Sequence, residues 1–247
     1  MKRKTHFQFK QFVVQHDRCT MKIGTDAVLL GAWGNVTPAT RGMIDLPSPV
    51  RILDIGTGSG VIAIMAAQRS SDQTQIDAVE IETQDALQAT ENFAASPWSA
   101  RLHLHTTPIQ DFSPGYQYDV IVSNPPYFIN SQEPPDKRRL EARHTVSLDY
   151  DTLLTVVKRL LKPEGRFSVI LPYTEGLQFM TLAQKAGMFC RRQCSFRTRL
   201  EKPIERWMLE FAWANGEVET DEVLLYDEGV HWSASYVALT KDFYLKM

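Results

Sequence analysis

The residues whose types suit chemistry best are Asn124, Pro125 and Tyr127, which follow the short apolar run 120–122. A side-chain amide oxygen and a backbone carbonyl both accept hydrogen bonds, so Asn124 and Pro125 can receive the two hydrogens of a planar amino group. The ring of Tyr127 can stack on a base that has left its helix. With Pro126, the tetrapeptide favours a site that aligns an exocyclic amine. The alternative is a proline-stiffened loop without chemistry.

The chain just before this tetrapeptide predicts a strand that ends where the tetrapeptide begins. Val120, Ile121 and Val122 are consecutive β-branched residues, as in strands buried on both faces of a parallel sheet. Pro125 and Pro126 lack backbone N–H groups, so the strand ladder must stop there. Because ligands bind outside the carboxyl ends of strands in open α/β sheets, this placement strengthens the chemical interpretation.

A second candidate site is the glycine loop of Gly56, Gly58 and Gly60, which lies between a strand pattern and a helix pattern. That order opens a Rossmann-like βαβ unit, and glycines let the backbone approach a ligand closely. The spacing is Gly-x-Gly-x-Gly and differs from that of dinucleotide cradles. Glu80 ends a second predicted strand, 75–80, at 24 residues after Gly56, close to the spacing of an acid that binds ribose hydroxyls. The alternative for Glu80 is a plain surface carboxylate.

The rest of the chain continues this alternation and then changes. Helices are predicted at 83–95, 152–161 and 174–186, and further strands at 101–105 and 167–171. The strands predicted at 188–197 and 206–213 have no helix between them, so they form an antiparallel pair. The predicted fold class is therefore α/β and Rossmann-like, with a mainly parallel sheet closed by an antiparallel C-terminal hairpin.

The first 34 residues predict a separate extension. Aromatic and aliphatic residues between 7 and 14 alternate imperfectly with polar ones, which indicates a short strand or hairpin. Gly24, Thr25 and Asp26 then form a turn and a helix start before the apolar run 27–33. Such an extension could fold over a ligand site as a lid, and plain packing in the core is the alternative.

Composition and charge bound the class of protein. The chain has 247 residues, 43% of them hydrophobic and 23% charged, as in a soluble globular protein. No apolar run approaches the ~18 residues of a membrane span. The three cysteines match no metal spacing and indicate reduced thiols. The net charge is −2, but Lys and Arg concentrate at 1–22, 137–143 and 191–206, and six acids gather in 217–228. Basic clusters that are separated from the acidic ones in this way can bind phosphates. The alternative is that these clusters are ordinary charged surfaces in contact with water.

Several stretches together resemble one enzyme family. They are residues 21–33, the glycine loop preceded by Asp54, the run Asn-Pro-Pro-Tyr-Phe, residues 142–144, the hairpin residues Lys202 and Arg206-Trp207, and residues 236–246. The chain is similar to bacterial class I S-adenosylmethionine-dependent enzymes of the Asn-Pro-Pro-Tyr type that methylate a valine tRNA. In that family the target is the exocyclic N6 amine of the adenine just 3′ of the anticodon, position 37.

The resemblance implies roles for individual residues. Catalysis falls to Asn124, Pro125 and Tyr127; cofactor binding to Asp54, Gly56, Thr57, Gly58, Glu80, Ile81 and Ile109; and substrate binding to Phe128, Arg143, Lys202 and Arg206. Related enzymes often place an Asp where this chain has Pro108, so either the Ile109 amide replaces it or adenine is held by packing alone. For the basic residues the alternative role is a structural ion pair with Glu141 or Glu205.

The resemblance also implies the setting of the enzyme. Residues 1–34 become an extension packed on the cofactor site, and 35–247 the methyltransferase domain. The cofactor is S-adenosyl-L-methionine, the partner is the anticodon stem-loop of a tRNA, and the location is the cytoplasm; neither a membrane nor a metal is expected, and a monomer is favoured. A methyltransferase for ribosomal RNA guanine N2 or for protein glutamine also fits Asn-Pro-Pro-Tyr, and a non-catalytic RNA-binding module is the alternative outside the enzymes.

Overall fold

The structure is a computed structural model that describes residues 5–37, 49–126 and 148–246. Its strands are β1 (His6–Gln8), β2 (Val13–Gln15), β3 (Arg51–Ile55), β4 (Gln75–Glu80), β5 (Leu102–Thr106), β6 (Tyr118–Ser123), β7 (Leu161–Pro172), β8 (Phe189–Arg197), β9 (Arg206–Ala212) and β10 (Glu219–Leu224). Its helices are α1 (Thr25–Trp33), α2 (Val61–Arg69), α3 (Thr83–Ala95), α4 (Tyr150–Leu160), α5 (Tyr173–Lys185) and α6 (Ala234–Thr240). None of these helices is both long and apolar enough to cross a membrane.

One large sheet organises the described residues. Its strand order is β10-β8-β9-β7-β6-β3-β4-β5. Neighbours from β5 to β7 are parallel, whereas β9 runs antiparallel to both β7 and β8. The sheet is therefore mainly parallel and is closed by the antiparallel strands that the sequence predicts, which confirms the fold class.

Helices cover both faces of the sheet, and each face has its own apolar core. One core joins α1 and α2 to the sheet and contains Val120 and Val122. The other joins α4 and α5 to the opposite face and contains Ile121. Because successive strand residues point to opposite faces, the apolar run of β6 is buried on both sides, as predicted. The strand that carries Asn124 at its end is thus held rigidly.

The predicted strands and helices that fall on described residues are present, and strand β7 is longer than predicted. Strand β7 begins at Leu161, so Pro163 and Gly165 lie inside a strand, where the sequence predicted only a helix end. This early part of β7 pairs with β6 across a shift in register between Tyr118 and Val120. A bulge of this kind accommodates residues that a regular ladder would exclude.

Strand β10 and helix α6 were not predicted. The sequence of β10 is Glu-Thr-Asp-Glu-Val-Leu, which lacks the alternation of apolar and polar residues that would mark a strand. Only Val223 in this strand is buried. It pairs in parallel with β8 and places its acids beside basic residues: Arg192 lies 3.6 Å from Glu219, and Arg197 lies 2.6 Å from Glu222. The acidic run 217–228 and the basic run 191–206 are therefore neighbours in space, and the expectation of a segregated charge field fails for this pair.

The N-terminal residues pack against the rest of the domain. Strands β1 and β2 form the predicted antiparallel hairpin. Phe9 is fully buried and stacks on Phe12, with ring centroids 4.5 Å apart, and both belong to the core of α1 and α2. Beyond the hairpin, the chain runs along α3 before it enters α1.

Candidate active site at the carboxyl edge of the sheet

Three predicted site residues lie at the carboxyl ends of three neighbouring strands: Asn124 follows β6, Gly56 follows β3, and Glu80 is the last residue of β4. Ser123 at the end of β6 is paired with Ile55 at the end of β3, and Ile55 is paired with Val79 in β4. The next residues along each strand are Asn124, Gly56 and Glu80. Because the strands are parallel, these residues emerge side by side at one edge of the sheet. The structure therefore brings the start of the Asn-Pro-Pro-Tyr motif next to the glycine loop.

The glycine loop has a backbone conformation that residues other than glycine adopt only at a cost in free energy. Gly56, Gly58 and Gly60 have φ angles of +72°, +54° and +83°. A Cβ atom added at Gly56 or Gly58 would meet nothing within 4 Å, whereas one added at Gly60 would lie 2.5 Å from the Phe93 ring. The first two glycines therefore face open space, and the third allows close contact with α3.

Glu80 binds the backbone around it. Its carboxylate accepts hydrogen bonds from the amides of Gly58 at 2.9 Å, Ile81 at 2.8 Å and Glu82 at 2.9 Å, and the residue is 7% exposed. Burial raises the pKa of Glu80, and these three amide donors oppose that rise. A carboxylate has about four acceptor positions, so Glu80 can hold the glycine loop and still accept from a ligand hydroxyl.

Asp54 lies beneath the same loop and is fully buried. The Thr57 hydroxyl donates to Asp54 Oδ2 at 2.6 Å, while Oδ1 has no hydrogen-bond partner among the described residues. Burial raises the pKa of Asp54 to about 7, although the bond from the Thr57 hydroxyl and an interaction with the Ala63 amide lower it. An unsatisfied buried carboxylate oxygen is costly, and a cationic group bound nearby would favour its ionised form.

Asn124 is half-buried and Pro125 is buried, whereas Pro126 is exposed. The motif therefore lies at the boundary between the core and the surface. Three other residues of the predicted site, Tyr127, Phe128 and Arg143, lie outside the described residues, as does the basic cluster 137–143.

The two predicted isoleucines differ in their surroundings. The Ile81 side chain is 40% exposed, directly after Glu80. Ile109 follows β5, whose end is fixed to β4 by the bond from the Thr107 amide to the Glu80 carbonyl at 3.1 Å. The Ile109 side chain is buried in the core of α4 and α5, and its carbonyl accepts from Arg159 at 3.2 Å. The Ile109 side chain and carbonyl are thus engaged within the protein, which leaves the backbone amide of Ile109 for a ligand; both predicted alternatives, an amide donor and packing alone, stay predictions.

Lys202 and Arg206 lie at the same edge of the sheet. Lys202 is in the turn between β8 and β9, and Arg206 is the first residue of β9, paired with Pro172 at the end of β7. Lys202 is exposed in the connecting turn. Arg206 is held by Asp26 in the first turn of α1, with Nε and Oδ2 2.9 Å apart. Among the described residues, Arg206 thus pairs with Asp26 and donates to the backbone carbonyl of Glu205 at 2.9 Å, whereas the Glu205 carboxylate accepts from the Thr198 amide at 3.0 Å.

Sequence reasoning missed a row of polar side chains on α3. Asp85, Gln88 and Asn92 are buried on the face of the helix that meets the N-terminal residues. Their spacing of three and four residues places them on one face of a helix, and buried polar residues at such spacing signal specific partners. Asn92 reaches the glycine loop itself, since its amide nitrogen donates to the Ser59 carbonyl at 2.8 Å.

Comparison with known proteins agrees with this geometry. The family model described as "Methyltransferase small domain" matches residues 33–174. A curated relative from Yersinia pseudotuberculosis serotype O:3 (strain YPIII), named tRNA1(Val) (adenine(37)-N6)-methyltransferase, is 46% identical over 242 residues, which are 97% of this chain and 92% of the relative.

Solved structures share the fold at low sequence identity. The crystal structure of a predicted O-methyltransferase from Agrobacterium tumefaciens aligns with a TM-score of 0.61 at 15% identity, covering 88% of this chain and 96% of the other. That of a putative class I S-adenosylmethionine-dependent methyltransferase from Listeria monocytogenes aligns with a TM-score of 0.55 at 14% identity, covering 86% and 65%.

These findings confirm the fold class, the enzyme class and the cofactor that the sequence predicts. The enzyme is a methyltransferase that uses S-adenosyl-L-methionine, and the described residues fit that group: two glycines face open space, Asp54 has an unsatisfied oxygen and Glu80 keeps acceptor capacity. The chain belongs to the methyltransferase small domain family and, within it, to the family of tRNA1(Val) (adenine(37)-N6)-methyltransferases.

Proposed function

We propose that this enzyme methylates the N6 amine of adenine 37, next to the anticodon, in a valine tRNA in the cytoplasm. The names of the relatives support this substrate. The observation that carries the proposal is the register of β6, β3 and β4, which puts Asn124 beside Gly56 and Gly56 beside Glu80. An amine held by Asn124 faces the loop assigned to the cofactor.

The chain's own contribution to the chemistry is alignment. The amine of adenine is a weak nucleophile because its lone pair is delocalised into the ring. The Asn124 side-chain oxygen and the Pro125 carbonyl accept its two hydrogens, so the lone pair points away from them. Catalysis then rests on positioning and on oriented dipoles. Tyr127 stacks on the flipped base in this assignment. The bound S-adenosyl-L-methionine supplies an electrophilic methyl group on a sulfonium.

Seven residues hold the cofactor in this assignment. Gly56 and Gly58 give the backbone access to the methionine part, and Thr57 keeps Asp54 oriented below them. Glu80 accepts from the ribose hydroxyls. The exposed Ile81 side chain packs on the adenine, and the Ile109 amide donates to it. The support for Glu80 is its fixed carboxylate beside the loop.

RNA contacts are assigned to the basic rim of the same edge. Lys202 is exposed, so its ammonium group can meet a phosphate, whereas Arg206 must do so while it pairs with Asp26. Arg143 and Phe128 complete the assigned substrate residues. The anticodon stem-loop is the proposed recognition element, and the N-terminal extension packs on the cofactor side of the site.

The test is methyl transfer from radiolabelled S-adenosyl-L-methionine to fractionated tRNA, ribosomal RNA and protein, followed by identification of the labelled nucleoside or residue. The proposal predicts label in N6-methyladenosine at position 37 of a valine tRNA. Label in ribosomal guanine or in protein glutamine, with unlabelled tRNA, would contradict it. Cofactor binding without transfer to any substrate would indicate a binding module.

A further inference from the structure

The chain between the hairpin and α1 runs along α3, and we call residues 15–20 the strap. Buried polar side chains of α3 hold it. Asp85 accepts from the Thr20 amide at 2.9 Å and from the Thr20 hydroxyl at 3.2 Å. Gln88 accepts from the Arg18 amide at 3.4 Å. An exposed ion pair between Arg18 and Glu91, 2.8 Å long, adds little to the free energy of folding. The buried contacts therefore dominate.

Asn92 makes the contacts at the other end of the strap. Its side-chain oxygen accepts from the Gln15 amide at 2.9 Å, and its nitrogen donates to the Gln15 carbonyl at 2.9 Å. The same nitrogen donates to the Ser59 carbonyl at 2.8 Å. Asn92 is 1% exposed, so water cannot replace these bonds. One side chain thus joins the strap to the glycine loop.

Cys19 of the strap lies within electrostatic range of Glu80. Burial is the main cause that raises the pKa of the Cys19 thiol to about 12, and the negative charges of Asp85, Glu80 and Asp17 add to it. The direct hydrogen bonds of the strap are to α3. Asn92 links its Gln15 end to the glycine loop, and Cys19 near its other end lies within electrostatic range of Glu80.

From this geometry we infer that Asn92 is a positioning residue for the cofactor, because it fixes Ser59 and the strap as one unit. The inference rests on the assignment of the glycine loop to S-adenosyl-L-methionine proposed above. Glycines at positive φ are conformationally permissive, so a loop without this anchor samples more states in the free enzyme. Binding must then order the loop, which weakens affinity without changing the atoms that touch the cofactor.

Three full-length variants test this inference by calorimetric binding of S-adenosyl-L-methionine in the absence of RNA. Asn92→Ala removes the bridge, and we expect its Kd to rise roughly tenfold. Gln88→Ala is the matched control, since Gln88 is equally buried at 1% and binds the strap, yet has no bond to the loop. It should lower Tm as Asn92→Ala does, while its Kd stays near that of the wild type. Gly58→Ala, which directs a Cβ into the open space, reports on the loop assignment itself.

The three binding constants together separate the positioning role of Asn92 from the assignment of the glycine loop to the cofactor. If Gly58→Ala weakens binding but Asn92→Ala does not, or if Gln88→Ala weakens it equally, the inference is wrong while the loop assignment stands. If Gly58→Ala binds as the wild type does, the loop assignment fails and the inference falls with it.

Hydrogen exchange in the wild type gives an independent readout should Asn92→Ala fail to fold. Adding the cofactor should protect the strap amides of Gln15 and Thr20 together with the Gly60 amide, which bonds to Thr57 within the loop. Protection of the loop amide with no change in the strap would contradict the inference.

Discussion

The Ser123 hydroxyl donates a hydrogen bond to the Ile55 carbonyl at 3.0 Å, and Ser123 is completely buried. These residues are the last of β6 and β3, immediately before Asn124 and Gly56. Besides the backbone ladder, a side-chain bond thus joins the strand that leads to Asn124 to the strand that leads to the glycine loop. This contact adds to the ladder in fixing the distance between the two halves of the proposed site.

Removing this bond should loosen the strand ends without abolishing the site. Ser123→Ala deletes one buried hydrogen bond, so we expect the free energy of unfolding to fall by about 1 kcal/mol. The methyl transfer rate should fall only modestly, since the strand register remains. Chemical denaturation and single-turnover kinetics measure the two effects. An unchanged stability would show that the contact contributes nothing.

Asp54 predicts a pH dependence of stability in the free enzyme. Its pKa rises to about 7 on folding from an ordinary 3.8, mainly through burial. Between these values the folded protein holds a proton that the unfolded chain has released, so this group lowers the free energy of unfolding as pH rises from 4 to 7. Asp54→Asn removes the titration, and its stability should be less dependent on pH in that window. Thermal unfolding across pH 4 to 8 compares the two proteins.

The same group predicts that cofactor affinity rises with pH. A cationic ligand favours ionised Asp54, so binding below pH 7 must expel the proton that the free enzyme holds. Calorimetry in buffers of different ionisation enthalpy should detect proton release in the wild type near pH 6. The Asn variant should show none from this site. Proton uptake in the wild type would contradict this account of Asp54.

Truncation of Arg206 should lower the free energy of unfolding, whereas truncation of Lys202 should not. Arg206→Ala breaks the pair with Asp26 and should lower the free energy of unfolding by up to about 1 kcal/mol, with a smaller loss when Asp26 is already Ala. Lys202→Ala should leave stability unchanged. Denaturation of the two single variants and the double variant measures this.

The effect of Lys202 on RNA should appear in the salt dependence. If Lys202 neutralises one phosphate, the slope of log affinity against log salt should become shallower by about one in Lys202→Ala. Binding of an anticodon stem-loop between low and moderate salt measures the slope. An unchanged slope would remove Lys202 from the RNA interface.

The sequence predicted the parts of the fold that local patterns determine. The bounds of β4 and α3 match the prediction, because a polar run, 70–74, precedes the strand and Pro97 follows the helix. Strand β10 escaped prediction because an edge strand with one buried residue has no such pattern. In the candidate site, spacing after the glycine loop identified Glu80, the Asn-Pro-Pro-Tyr motif identified Asn124, and the family resemblance added Asp54. Motif spacing could not identify Asn92 or the partner of Arg206, since Gln15 and Asp26 are distant in sequence and only the folded chain brings them close.

The central claim is that Asn124 aligns the amine, and the turnover of Asn124→Ala tests it most directly. With saturating cofactor and tRNA, we expect the activation barrier to rise by about 2–4 kcal/mol, so that kcat falls roughly 30- to 1,000-fold. The Kd of the cofactor should stay unchanged. Ser123→Ala, one residue earlier, controls for damage to the strand end. A variant that lacks the Asn124 side chain and yet methylates tRNA at the wild-type rate would contradict the account.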